Sequence, residues 1–269
     1  ATYSLAGVGQ GVFRSMHQHY RGILALLALL TGAFGMHVWQ ENREAEALVD
    51  ALLDMLKAAT DDDKTTGYPE DKVWAIVARL TKTATEPTPE SDREMRERED
   101  LFYDPYTRTI NVTRGIALGV AFSLACRQWK ALSPEMRNLA GMPNLKDLIE
   151  DRLQNDPSPA VRSVFGINLQ NLYAFDSKWT SANLQKIFSC SGKSFDPSGD
   201  AAWRTYISYH DPLHGHFDEL VCYYSMSLSE AKTTFALGSN AQRFAGRLGM
   251  HLFVLYGRGV MFLNSADSL

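Results

Sequence analysis

Cysteine is scarce in this chain of 269 residues. There are three, Cys126, Cys190 and Cys222, and no Cys-x-x-Cys pair. That excludes a zinc ribbon and a thioredoxin-type dithiol. Cys190 and Cys222 could pair in an oxidising compartment, leaving Cys126 over. Nothing in the spacing demands such a bond, so three free thiols are expected. A basic stripe is also missing: 27 Lys and Arg stand against 31 Asp and Glu, for a formal net charge of -4. Nucleic-acid binding therefore has no electrostatic support. No internal repeat is present, which argues against a solenoid or propeller.

The most informative absence is local. Gly22 to Trp39 holds no Asp, Glu, Lys or Arg, and only Thr31 and His37 are polar. A helix of that length spans about 27 Å, close to the hydrocarbon thickness of a bilayer. Tyr20 and Arg21 flank one end and Trp39 closes the other, where interfacial aromatics and a snorkelling cation belong. The stretch reads as a transmembrane helix, 22–39. A signal peptide is an alternative, but its small-x-small site, Ala33-Phe34-Gly35, falls inside the apolar run. A buried soluble helix is the other alternative, and length and lack of charge argue against it. Residues 1–21 carry Arg14 and Arg21 and no acid, whereas Glu41, Arg43, Glu44 and Glu46 follow the run. By the positive-inside rule, 1–21 is a cytoplasmic lead and the C-terminal part lies outside the cytoplasm.

What remains has the composition of a folded globular chain, with 22% charged residues. Residues 40–84 read as a helical stalk. Leu48, Val49, Leu52, Leu53 and Leu56 make one apolar face, and Val73, Trp74, Val77 and Leu80 make another after Pro69. Residues 85–92, with Pro87 and Pro89, read as a linker. A soluble α+β domain is expected over 93–269. Within it, Asp104-Pro105-Tyr106 reads as a turn and Thr107 to Val112 as a short strand. Gly115 to Leu132 is too short an apolar run to span a membrane and reads as a central buried helix. Helices are expected from Ser133, over 144–155, over 160–175 and over 180–189 with Thr180 or Ser181 as N-cap. Asp196 to Asp200 reads as a turn. Trp203 to Tyr209, Leu220 to Leu228 and His251 to Leu263 are rich in aromatic and β-branched residues and read as antiparallel strands. Gly257-Arg258-Gly259 reads as a hairpin turn or a bulge in the last pair, and Ser239 to Gly249 reads as a helix before it.

The densest group of potential ligands is His210, Asp211, His214, His216, Asp218 and Glu219. Two imidazoles and a carboxylate can bind zinc and activate water, so His210, His214, His216 and Asp218 are the candidate metal ligands. His214-Gly215-His216-Phe217-Asp218 resembles the His-x-His-x-Asp motif of the metallo-β-lactamase hydrolases over these five residues. Glu219 stands where that motif closes on histidine, and the fold's repeating strand–helix pattern is missing. A polar loop with solvent-facing histidines is the plainer reading.

The sequence therefore predicts a single-pass protein of the cell inner membrane without catalysis or cofactor. It would be a structural or interaction subunit of a larger envelope assembly for secretion, transfer or transport. In outline it resembles inner-membrane secretion subunits with one span and a helix-then-sheet domain. Its expected partners are the lipid bilayer, other membrane or envelope proteins and further subunits in a hetero- or homo-oligomer, with Tyr103, Tyr106 and Trp179 as contact candidates. One alternative is a membrane-anchored metal-dependent hydrolase using residues 210–219. Another is a soluble protein with a buried N-terminal helix.

Overall fold

Three short helix starts share one pattern, a capping side chain followed by proline. Asp104-Pro105, Ser158-Pro159 and Asp196-Pro197 each place an oxygen acceptor at the N-cap and proline in the first turn. A proline there loses no hydrogen bond and is already set to helical φ, so these pairs begin helices. The computed structural model describes residues 70–97, 104–192, 194–234 and 239–261. The lead 1–21, the expected transmembrane helix 22–39, most of the stalk and Tyr103 lie outside the described residues.

The described residues form α1 (Glu70–Thr83), α2 (Pro89–Glu97), α3 (Pro105–Thr109), α4 (Thr113–Ala131), α5 (Pro143–Asn155), α6 (Pro159–Ile167), α7 (Leu169–Ile187), α8 (Pro197–Tyr209), α9 (Phe217–Thr234) and α10 (Ser239–Gly257). One two-stranded antiparallel sheet, β1 (Cys190–Ser191) with β2 (Ser194–Phe195), links α7 to α8. The fold is thus mostly helical with a small sheet. Among the described residues no helix is long and apolar enough to cross a membrane.

α4 runs through the middle and is buried around most of its circumference, from Ile116 and Leu118 to Phe122 and Leu124. A helix apolar on all sides is a core helix, as its sequence implies. α1 lays Val73, Trp74, Val77 and Leu80 into the same core. Residues 85–92 are tied down at several points. Arg114 donates to the Pro87 carbonyl at 2.6 Å, and Thr88 and Ser91 exchange side-chain-to-backbone bonds that start α2.

α6 meets α8 at van der Waals distance along their backbones. A Cβ at Gly166 would overlap the carbonyl oxygen of Ala202, so only glycine fits. Polar side chains close the ends of neighbouring helices. Arg162 donates to the carbonyls of Leu153, Asp156 and Lys186, and Arg152 donates to Thr81 O at 2.7 Å. Asp156 takes ion pairs from Arg114 and Arg152, both at 3.3 Å.

Four expectations are corrected. The expected strands Trp203 to Tyr209 and Leu220 to Leu228 lie in the bodies of α8 and α9. Of the expected strand His251 to Leu263, the part to Gly257 is the end of α10, while 258–261, where the described residues end, are turn and bend. Buried positions 202, 203, 206 and 207 of α8, and 217, 220, 224 and 227 of α9, recur at helical spacing. Their aromatics pack on one another instead of across a sheet: Trp203 lies 5.1 Å from Phe188 and 5.0 Å from Tyr224, ring centre to ring centre. Tertiary packing has overridden β-propensity. Second, the expected strand Thr107 to Val112 is α3 and the turn after it, with Asp104 as N-cap. Third, Asp196 to Asp200 is no free turn but the first turn of α8. Fourth, the helix expected from Thr180 starts earlier. Asp176 breaks α7 with φ -159°, ψ 95° and accepts from Trp179 N, capping the second half. The three cysteines are free thiols, as expected. Burial, followed by the neighbouring Cys190 thiol, pushes the Cys222 thiol up.

Gly166→Ala is expected to destabilise the fold by about 1–3 kcal/mol through overpacking. Gly246→Ala, in α10 with nothing within 4 Å of the added methyl, is expected to stabilise it by up to about 1 kcal/mol. Urea unfolding followed by circular dichroism checks both. Equal effects at the two positions would remove the close-approach account.

Candidate functional site

The residues from His210 to Glu219 form the passage from α8 to α9. α8 ends at Tyr209 and is capped by His210, whose backbone N–H still bonds Tyr206 O. A short 3₁₀ turn, His214–His216, then leads into α9, which places the carboxylates of Asp218 and Glu219 in its first turn. Negative charge there suits the positive end of the helix dipole.

The side chains of this segment go to separate partners. His210 turns inward and its Nε2 donates to Ile167 O at 2.6 Å. His214 lies on the surface and takes an Arg258 Nη1 donor on Nδ1 at 2.8 Å. His216 stacks on Tyr173, ring centres 3.8 Å apart, with Nδ1 3.6 Å from Glu219 Oε1. Asp218 is exposed. Among the described residues no three His, Cys, Asp or Glu side chains gather as metal ligands.

Two polar constellations surround the segment. In the first, Glu219 Oε2 accepts from Tyr173 Oη at 2.9 Å and from Ser181 Oγ. Burial would raise the Glu219 carboxyl, but the bonds from Ser181, Tyr173 and His216 hold it below its ordinary value. The Tyr173 phenol is pushed up, first by burial and then by its bond to Glu219. Ser181 and His216 both address the carboxylate, so the serine is a donor here rather than a nucleophile activated by an imidazole.

The second constellation is buried, and sequence spacing gave no sign of it. His251, 1% exposed, points from α10 at the end of α8. Its Nε2 lies 2.7 Å from His210 O, and a carbonyl only accepts, so Nε2 carries the proton. Nδ1 therefore accepts from Tyr224 Oη at 2.9 Å. Tyr224 is in turn bonded to Tyr206, whose hydroxyl accepts from Leu213 N at 2.8 Å. Arg247 adds donors to His210 O at 3.0 Å and Ile207 O at 3.3 Å. Burial pushes both His210 and His251 below the ordinary histidine value. The network locks the α8 terminus to α10 with neutral imidazoles.

Between these constellations lies an open groove of about 520 Å³, lined by Gln170, Asp211, Leu213, His214, His216, Val254 and Arg258. Beyond it, α10 exposes Met250 (53%), Phe253 (72%) and Tyr256 (50%). Among the described residues these three are the most exposed large apolar side chains, whereas Tyr106 and Trp179 are half-buried. Tyr106 packs edge-on to Tyr209, ring centres 4.9 Å apart, and Trp179 Nε1 donates to Glu150 at 2.9 Å. No family model, curated protein or solved structure matches the chain.

Stability should depend on pH through half-buried His210 and buried His251. Their folded-state values are lowered, so the unfolded chain takes up protons first as pH falls. Stability is then complete above about pH 6.5 and falls below it, by up to about 1.4 kcal/mol per pH unit for each histidine. Urea midpoints between pH 8 and 5 are expected to drop below pH 6.5, and His251→Gln is expected to flatten that slope. An unchanged slope in the variant would show that His251 is not the titrating group.

Proposed function

We propose that the protein is a single-pass subunit of a larger inner-membrane assembly serving secretion, transfer or transport. On this reading residues 22–39 cross the bilayer, 1–21 stay in the cytoplasm and the helical body lies outside it. The observation that carries the reading is the uncharged 22–39 run in the sequence, joined to a body that exposes Met250, Phe253 and Tyr256 along one helix. A run of this length without charge is suited to lipid tails, and an exposed apolar stripe is suited to a contact.

The polar groups near the groove support a binding role over a catalytic one. Glu219, Tyr173 and Ser181 satisfy one another, and His210 and His251 spend their ring protons on backbone carbonyls. Groups committed in this way hold structure and are not poised for proton transfer to a substrate.

Alkaline carbonate extraction of membranes from cells making the full chain tests the anchor. The chain is expected in the pellet, a variant lacking residues 22–39 in the supernatant, and native mass in detergent above that of one chain. Release of the intact chain by carbonate would overturn the reading.

A further inference from the structure

We infer that the outward face of α10 is a second membrane contact, lying on an anionic phospholipid surface. The face is apolar at its centre, where Met250 and Phe253 sit one turn apart with Tyr256 at the flank. Its glycines leave it smooth: a Cβ at Gly246, Gly249 or Gly257 would meet no atom within 4 Å among the described residues. Large side chains therefore stand clear of the backbone and can enter the headgroup layer together.

Charge selects the occupant. From Ser239 to Met261 the chain has Arg243, Arg247 and Arg258 and no Asp or Glu. Arg247 is turned inward onto the α8 terminus. Arg243, seven residues and two helical turns before Met250, is exposed on that side of the helix, and Arg258, exposed one residue past the helix end, reaches His214 Nδ1 at 2.8 Å. An amphipathic helix with aromatic and Met residues on its outer face and arginines on its border is suited to the interface plane of an anionic bilayer. The adjoining groove is lined by Asp211 together with Arg258. A protein partner's hydrophobic groove would use Phe253 equally well, but it would not by itself call for arginines and no acid along the whole helix.

This inference rests on the membrane reading above for the nearness of a bilayer, and it fails in a different way. Loss of the anchor shows as carbonate release. Loss of the α10 contact shows at position 253. The full chain, with p-benzoylphenylalanine replacing Phe253, is reconstituted into vesicles of phosphatidylglycerol and phosphatidylcholine and irradiated. Mass spectrometry is expected to find phospholipid on the peptide containing position 253. The adduct should fall at least five-fold in pure phosphatidylcholine vesicles (about 1 kcal/mol of anionic-lipid attraction per arginine gives that order). It should fall similarly for Arg243→Glu combined with Arg258→Glu. The same probe replacing Met136, 49% exposed in the turn after α4, should give no phospholipid adduct. If the double variant misfolds by circular dichroism, the two lipid compositions decide the matter with the parent chain alone. A cross-linked dimer, a cross-link to another segment of the same chain, no adduct, or equal adduct in both vesicles would each overturn the inference.

Discussion

The contact between α6 and α8 is the constraint on which the rest of the structure depends. α6 has nine residues, too few to persist as a helix in water. It exists because eight of them are buried. Small residues make the burial close: Ser163 and Gly166 on α6 face Ala201 and Ala202 on α8, and the Ser163 hydroxyl bonds Ala201 O at 3.4 Å. Two helices this near bring Phe165 against Phe122 of α4 and Trp203 against Phe188, Tyr206 and Tyr224. The core is therefore one continuous aromatic and aliphatic cluster from α1 to α10.

Close packing leaves helix ends inside the protein, where unpaired carbonyls are costly. Arginines meet that cost. Arg162 alone serves the carbonyls at the ends of α5 and α7, and Arg152 serves Thr81 near the end of α1. Burial pushes the Arg162 guanidinium down, and Asp196 and Asp156 oppose that shift. Asp92, by contrast, is pushed up by burial despite its bond to Ser158 and the nearby Arg108 and Arg114. The charges inside the protein are thus distributed over backbone carbonyls and acids together, which is the arrangement a buried guanidinium requires.

Much of the helical half was legible in the sequence. The all-round apolar pattern of α4, the one-sided pattern of α1 and the Leu145, Leu148, Ile149, Leu153 stripe of α5 all report burial directly. The C-terminal half was misread for a physical reason. Aromatic and β-branched residues favour strands only when a sheet is there to receive them, and here they pack between helices. The corrective signals were present: buried positions spaced three and four apart, and Asp-Pro or Ser-Pro pairs that cap helices but resemble turns. The site was legible only as a cluster in the chain. Its histidines were visible at 210, 214 and 216, but their dispersal to Ile167, Arg258 and Tyr173 depends on tertiary contacts. Tyr224, five residues past that cluster, and His251, far beyond it in sequence, complete the buried network and announce themselves by no spacing.

That network also explains why Phe253 faces outward. A helix with this many apolar residues could rotate to bury the largest of them. In α10, rotation would pull Arg247 from Ile207 O and His210 O, and His251 from His210 O and Tyr224. Each abandoned buried group would cost about 1–3 kcal/mol, comparable with the whole gain from burying one phenylalanine. Several such losses outweigh one such gain. Polar pins on the inner side therefore set the rotation of the helix, and the exposure of Met250, Phe253 and Tyr256 follows from a fixed geometry instead of a packing failure. A surface held open by buried hydrogen bonds is one whose orientation is specified, which is the property a contact surface needs.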